Sequence, residues 1–298
     1  MYLISGQELC LWRDRAISAA IAASISTREV DWLLKEVTNL DSLALYLKSF
    51  QELDKIEIDR PLAVLSEQWQ QRLENRLPVQ YLVGSTPWRN FTLKVSPDVL
   101  IPRPETELIV DLALEAVTTT QKSNLDSGIW VDLGTGSGAI ALGLAESLTN
   151  ATVCAVDRSE AALAIAAENA RNLGLERRIK FYCGSWWQPL AEFRGKISGM
   201  VSNPPYIPTG EIAKLQPEVV RHEPSLALDG GEDGLESIRH LIDTAPVYLH
   251  SGGIWLIEFM AGQGEKISKM LAATGSYKNI KIYRDLAGID RFAFAIVK

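Results

Sequence analysis

The sequence predicts an α/β protein in which a mainly parallel seven-stranded sheet is covered by helices, with a small helical bundle ahead of it and a β-hairpin joining the two. Three observations carry this prediction. From residue 129 onward, apolar strand-like segments alternate with amphipathic helical ones, as strands covered on both faces require. Residues 1–78 carry apolar positions at helical spacing with only weak strand signals. The 298 residues suffice for about two domains, and a hydrophobic content of 47% supplies real cores.

In chain order, Ser5 with Glu8 and Ser26 with Glu29 form S-x-x-E patterns, the signature of a capping box at a helix start. Leu9, Trp12 and Ala16 share one helical face, and Val30, Leu33, Leu34 and Val37 form a second stripe. Leu43, Leu47 and Phe50 predict a third helix. Pro61 suits the first turn of a longer one carrying Leu62, Leu65, Trp69, Leu73 and Leu77, which stops before Pro78. These stripes read as core, and the role expected of residues 1–78 is docking a substrate. Residues 79–103, with alternating Phe91, Leu93 and Val95 punctuated by Gly84, Pro87 and Pro97, read as an extended hairpin connector. The second domain, residues 104–298, opens with a helix from about Glu105 to Val117 whose inner side holds Leu108, Ile109, Leu112 and Ala116. The strand candidates are Ile129–Asp132, Thr152–Asp157, Ile179–Cys183, Ile197–Ser202, Gly253–Glu258, Ile280–Tyr283 and Arg291–Val297. No helical segment separates the last two, so the final strand is expected to insert antiparallel.

Thirty Lys and Arg against 37 Asp and Glu give a formal charge of −7, so no overall basic field exists to hold nucleic acid. The amino terminus lacks the pattern of an export signal, and the apolar stretch Ala16–Ile25 is too short for a bilayer span, so a cytoplasmic protein without a membrane anchor is expected. Cys10, Cys154 and Cys183 form no CxxC pair and read as reduced thiols. His222, His240 and His250 lack metal-ligand spacing, and no metal is expected.

Gly134, Gly136 and Gly138 lie between a strand and a helix, where they let the backbone turn sharply and approach a ligand. Asp157 ends the next strand, where a carboxylate can accept hydrogen bonds from both hydroxyls of a ribose. The pair points to an adenosine-bearing cofactor, although Gly134, Gly136 and Ala139 equally fit the dinucleotide fingerprint. SNPPYIP, at the end of the Ile197–Ser202 strand, is a rigid platform of hydrogen-bond acceptors. Asn203 is biased toward extended backbone, and Pro204 and Pro205 bring carbonyls without N–H donors.

Here the chain resembles the class I S-adenosylmethionine-dependent methyltransferases with a Rossmann-like domain that carry (N/D/S)PP(Y/F/W) and methylate planar nitrogens. IPRPETE, DLGTGSGAIAL, SNPPYIP, the Glu223–Pro224 pair, GGEDGL and DLAGIDR, in that order, resemble more closely the glutamine methyltransferases of peptide chain release factors, the PrmC or HemK family. The resemblance runs from about residue 80 to the end. It implies S-adenosyl-L-methionine as cofactor and class I release factors as protein partner, with methylation of the side-chain N5 of glutamine in a Gly-Gly-Gln motif. It further implies that Gly134, Thr135, Gly136, Ser137 and Gly138 surround the cofactor, that Asp157 holds its ribose, and that an aromatic after the third strand, Trp186 or its neighbour Trp187, lies beside adenine. Asn203 would contact both cofactor and substrate. Arg103, Glu105, Thr106 and Glu107 mark the family without a role assigned to any of them.

An amide nitrogen is a poor nucleophile that no ordinary side chain deprotonates at neutral pH, so positioning carries the chemistry. The Asn203 side-chain oxygen and the Pro204 carbonyl can bind the two amide hydrogens and favour the positive charge that grows on nitrogen, with Pro205 and Tyr206 shaping the slot. Three alternatives remain open at this point: a ribosomal-protein glutamine methyltransferase, an adenine-N6 nucleic-acid methyltransferase acting on a flipped base, and a release-factor binding module without catalysis.

Overall fold

The computed structural model describes residues 1–120 and 125–298. The chain forms two compact units, one comprising Met1–Ser85 with Gln216–His222 and the other Thr86–Leu215 with Glu223–Lys298. The first contains β1 (Tyr2–Ile4), α1 (Gly6–Ala22), α2 (Arg28–Val37), α3 (Ser42–Leu47), β2 (Ile56–Ile58), α4 (Leu62–Asn75) and α5 (Val79–Val83). Leu9, Leu33, Leu34, Phe50 and Leu65 are fully buried at its centre. The Ser5 capping box is complete, with the hydroxyl accepting the Glu8 N–H and the Glu8 carboxylate accepting the Ser5 N–H.

Several local expectations for this unit need correction. Ser26 caps nothing: α2 begins after Thr27 with no side-chain cap, and Glu29 instead accepts two hydrogen bonds from the buried Arg72 guanidinium, at 2.6 and 2.9 Å. A charge-assisted fork outweighs a single main-chain N–H. The antiparallel ribbon of β1 and β2 was not expected, because two three-residue strands are too short to show alternation. Val79–Val83 is helical rather than extended; Val79 and Leu82 bury one face, and Gly84 ends the turn at φ 84°.

The second unit contains β3 (Ser85–Trp88, whose first residue falls at the boundary), β4 (Phe91–Lys94), α6 (Glu107–Thr119), β5 (Ile129–Leu133), α7 (Ala139–Ser147), β6 (Thr152–Asp157), α8 (Glu160–Asn172), β7 (Ile179–Cys183), β8 (Ile197–Ser202) and α9 (Thr209–Ile212). After α10 (Pro217–His222), which belongs to the first unit, it continues with α11 (Glu236–Tyr248), β9 (Leu249–Glu258), α12 (Gly264–Ala273), β10 (Tyr277–Arg284) and β11 (Asp290–Val297). The large sheet has the order β10-β11-β9-β8-β5-β6-β7, parallel except for β11, which inserts antiparallel between β9 and β10 as expected. Successive connections run in opposite directions from the β5/β8 pair, which places the ligand crevice of such sheets at the carboxyl ends of these two strands.

The boundaries expected at residues 78 and 103 also shift. Residues 79–85 belong to the first unit, and the β3–β4 hairpin is not a free connector. Trp88, Phe91 and Leu93 are buried in one core with α6 and α7. Asn169 of α8 accepts the Lys94 N–H and donates to the Lys94 and Ser137 carbonyls, tying hairpin and glycine turn together. An amphipathic hairpin has to bury its apolar face somewhere, and here the face lies on the sheet-covering helices. In the first unit, α10 brings Glu218 to Arg72 at 2.8 Å and Arg76 at 3.1 Å. No helix among the described residues is long and apolar enough to cross a membrane.

Candidate active site

At the carboxyl ends of β5, β6 and β8 the second unit opens a cavity of about 820 Å³. Its floor is the glycine turn after β5. Gly134 and Gly136 hold φ of 78° and 55°, and a Cβ built on Gly136 would meet nothing within 4 Å, so bare backbone borders open space. Gly138 does not line the cavity. Its φ of 87° starts α7, and an added Cβ would stand 3.0 Å from that of Ala166, so this glycine serves helix packing. Thr135 and Ser137 are buried beside the turn and line the same space.

Beneath the turn, Asp132 is fully buried. Its Oδ2 accepts the Thr135 hydroxyl at 2.6 Å and the Ala141 N–H at 3.1 Å, pinning the loop to the first turn of α7. Burial pushes this carboxyl up to about 7. Asp157 ends β6 on the cavity wall. One of its oxygens accepts the Gly136 N–H and the other the Ser159 N–H, both at 2.9 Å, and each retains a lone pair for a further donor.

The two tryptophans separate clearly. Trp186 lines the cavity with a left-handed backbone, φ 50°, which turns its ring toward the space above Gly134. Trp187 is buried and stacks on Tyr248 at 4.6 Å between ring centroids. The arrangement fits an adenosine-bearing ligand: a bare glycine turn for close approach, a carboxylate for ribose hydroxyls, and an indole for the base. Among the described residues no group of His, Cys, Asp and Glu is arranged to hold a metal ion.

Asn203 and Pro205 line the same cavity. Pro204 is buried, and the half-buried Tyr206 packs with the core on the α11 side of the sheet. The Tyr206 hydroxyl donates to Glu258 Oε1 at 2.9 Å, and desolvation beside that carboxylate raises its pKa far above the ordinary tyrosine value. Gln263 donates to the Tyr206 carbonyl and fixes the backbone after the second proline.

The IPRPETE segment divides its tasks. Arg103 pairs with the buried Glu223 at 2.6 Å, while Glu107 accepts the main-chain N–H of Arg89 and so holds the hairpin. The Thr106 hydroxyl donates to Glu258 Oε2 at 2.7 Å, and Asn203 Nδ2 donates to Thr106 Oγ1 at 3.4 Å. Glu258, fully buried at the end of β9, thus reaches both Thr106 and Tyr206, and burial lifts it to about 7. Sequence reasoning assigned nothing to Glu258 or Asp132. Each was legible only as a carboxylate inside an apolar strand, WLIEF and IWVDL, where a charge needs a reason.

A family described as a methyltransferase domain matches residues 126–218. A release factor glutamine methyltransferase of Synechocystis sp. (strain ATCC 27184 / PCC 6803 / Kazusa) is 50% identical over 292 residues, covering 98% of this chain and 97% of the relative. One from Gloeobacter violaceus is 44% identical over 280 residues, covering 94% of each. Among solved structures, the hMettl16 catalytic domain in complex with MAT2A 3′UTR hairpin 6 shares the fold, with a TM-score of 0.55 at 15% identity over 89% of this chain and 88% of that one.

Proposed function

The chain belongs to the release factor glutamine methyltransferases, and from this membership we propose that it methylates N5 of the glutamine in the Gly-Gly-Gln motif of class I release factors, in the cytoplasm. It is an S-adenosylmethionine-dependent protein-glutamine methyltransferase. When bound, the cofactor supplies an electrophilic methyl carbon. Gly134 and Gly136, whose own N–H groups are given to the Val156 carbonyl and to Asp157, would hold it through close approach of bare backbone, Asp157 through its ribose hydroxyls, and Trp186 through the face of its base.

The observation that carries the substrate reading is Asn203 on the wall of the cofactor cavity, within a segment whose two prolines carry no N–H. An acceptor-rich site of this kind suits a donor with two hydrogens on a planar nitrogen. The Asn203 oxygen and the Pro204 carbonyl would each take one amide hydrogen, which fixes the plane of the group and aims its nitrogen. As the nitrogen accepts the methyl group it gains positive charge, which both dipoles stabilise, and one proton then leaves to water. Pro205 and the Tyr206 ring would bound the slot, with the Tyr206 hydroxyl occupied by Glu258.

The test is mass spectrometry of a release factor treated with the enzyme and S-adenosylmethionine. A gain of one methyl group, localised to the tripeptide glutamine, is the expected result; label found only in nucleic acid or a ribosomal protein would refute the assignment. Asn203→Ala should lower kcat by about 100-fold or more while leaving cofactor affinity near wild type, as measured by calorimetry.

A further inference from the structure

An ionised carboxylate only accepts, so the Thr106 and Tyr206 hydroxyls must both turn their hydrogens toward Glu258. Having given its one hydrogen away, Thr106 Oγ1 faces Asn203 with lone pairs alone. The Asn203 amide is a near-symmetric fork, and its contact with Thr106, at 3.4 Å near the long end of the hydrogen-bond range, is its one side-chain hydrogen bond among the described residues. Only the NH2 end can face Thr106 favourably, which leaves Oδ1 turned away as a free acceptor. The reverse orientation would set oxygen against oxygen, or pull the Thr106 hydrogen off Glu258 and leave a buried carboxylate oxygen unbonded.

We propose that Glu258 is a positioning residue for methyl transfer: through Thr106 it holds the Asn203 amide with Oδ1 as acceptor, and through Tyr206 it anchors the other end of Asn-Pro-Pro-Tyr. The proposal rests on the reading of Asn203 as the acceptor of a substrate amide hydrogen. A single carboxylate on β9 thereby ties together a residue before α6 and two residues after β8. The charged and titratable groups around Glu258 are Arg291 on the adjacent strand β11, Glu105 on the turn before α6, and Tyr206. Arg291 is itself paired with Asp285 at 3.2 Å, which fixes a positive charge near the carboxylate. On protonation Glu258 acquires a hydrogen of its own and can donate to Thr106 or Tyr206, which reverses that hydroxyl and loosens the hold on Asn203.

The test compares Thr106→Val, Thr106→Ser, Glu258→Gln and Asn203→Ala with wild type, reading kcat and KM for release factor, cofactor affinity by calorimetry, and the pH profile of kcat. Thr106→Val should lower kcat roughly 10- to 100-fold with KM and cofactor affinity changed less than about twofold, because only the orientation of the acceptor is lost. Thr106→Ser, which keeps the hydroxyl, should restore most of the rate. Wild-type kcat should fall as pH drops through about 7, and Glu258→Gln should be slow at all pH values without that acid limb. Should Glu258→Gln fail to fold, the threonine pair still decides the matter. Thr106→Val at the wild-type rate beside an impaired Asn203→Ala would overturn the relay and spare the Asn203 reading. A loss of cofactor affinity that accounts for the whole rate loss in Thr106→Val would also overturn it. A fully active Asn203→Ala would refute the underlying reading itself.

Discussion

At Asp157 two main-chain N–H groups, from Gly136 and Ser159, fix both carboxylate oxygens before any ligand arrives, so a donor entering the cavity meets lone pairs already held without a further ordering cost. Asp157→Ala should therefore weaken S-adenosylmethionine about tenfold or more in calorimetry, while kcat at saturating cofactor falls much less; unchanged affinity would remove Asp157 from the binding site. Glycine turn, Asp157 and Asn203 were legible as residues because each demand is local: positive φ, a carboxylate at a strand end, acceptors without competing donors. Thr106 and Glu258 were not. Their value arises from a hydrogen bond between residues 152 positions apart in sequence, and no window along the chain contains both. The same limit applied to Trp186 and Trp187. Adjacent indoles are equivalent in sequence and differ only because one has φ of 50° and faces the cavity while its neighbour stacks on Tyr248.

Among the elements, helices with long apolar stripes were readable and their ends less so. The capping box at Ser5 formed, whereas the identical pattern at Ser26 did not, because Arg72 on α4 captured Glu29. Arg72 is 5% exposed and pairs with Glu29 of α2 and Glu218 of α10, so Arg72→Ala leaves Glu29 without its cation and Glu218 with Arg76 alone. A loss of about 3–5 kcal/mol in urea unfolding is expected; a loss under about 1 kcal/mol would show that water replaces the pairing. Helix α3 leaves Leu43 and Leu47, expected in the core, at 63% and 61% exposure beside Tyr46 at 80%, because the six-residue helix buries only Leu45; together they make an apolar face on the unit expected to dock substrate. Combining Leu43→Ser with Tyr46→Ser should raise KM for release factor several-fold, roughly threefold or more, at unchanged kcat, the signature of lost uniform binding. An unchanged KM would place the docking surface elsewhere.

At the scale of the whole molecule, buried carboxylates raised by desolvation set the pH response: Asp132, Glu258 and, in the same direction, Glu223. Asp132 and Glu258 are both lifted from their ordinary values to about 7, so the folded state holds their protons more tightly than the unfolded chain does. Their contribution to stability is complete below the unfolded values, near 4, and is lost as pH rises through about 7. The lowered carboxyls, including Asp285 and Glu218, act in the opposite sense but titrate below about pH 5. Urea midpoints should therefore decline from about pH 5.5 to 8, and Glu258→Gln should flatten the decline; a midpoint that rises across this range would contradict the assignment. The sequence by itself determined the two regions, the strand and helix alternation, the antiparallel last strand, the glycine turn and the acceptor platform, since periodicity and turn chemistry act over a few residues. Only the tertiary structure decided where the hairpin is buried, that α10 belongs to the first unit, and that Glu258 meets Thr106 and Tyr206. Those outcomes depend on strand order and on burial, which removes water as a competing partner and so makes distant polar groups seek each other.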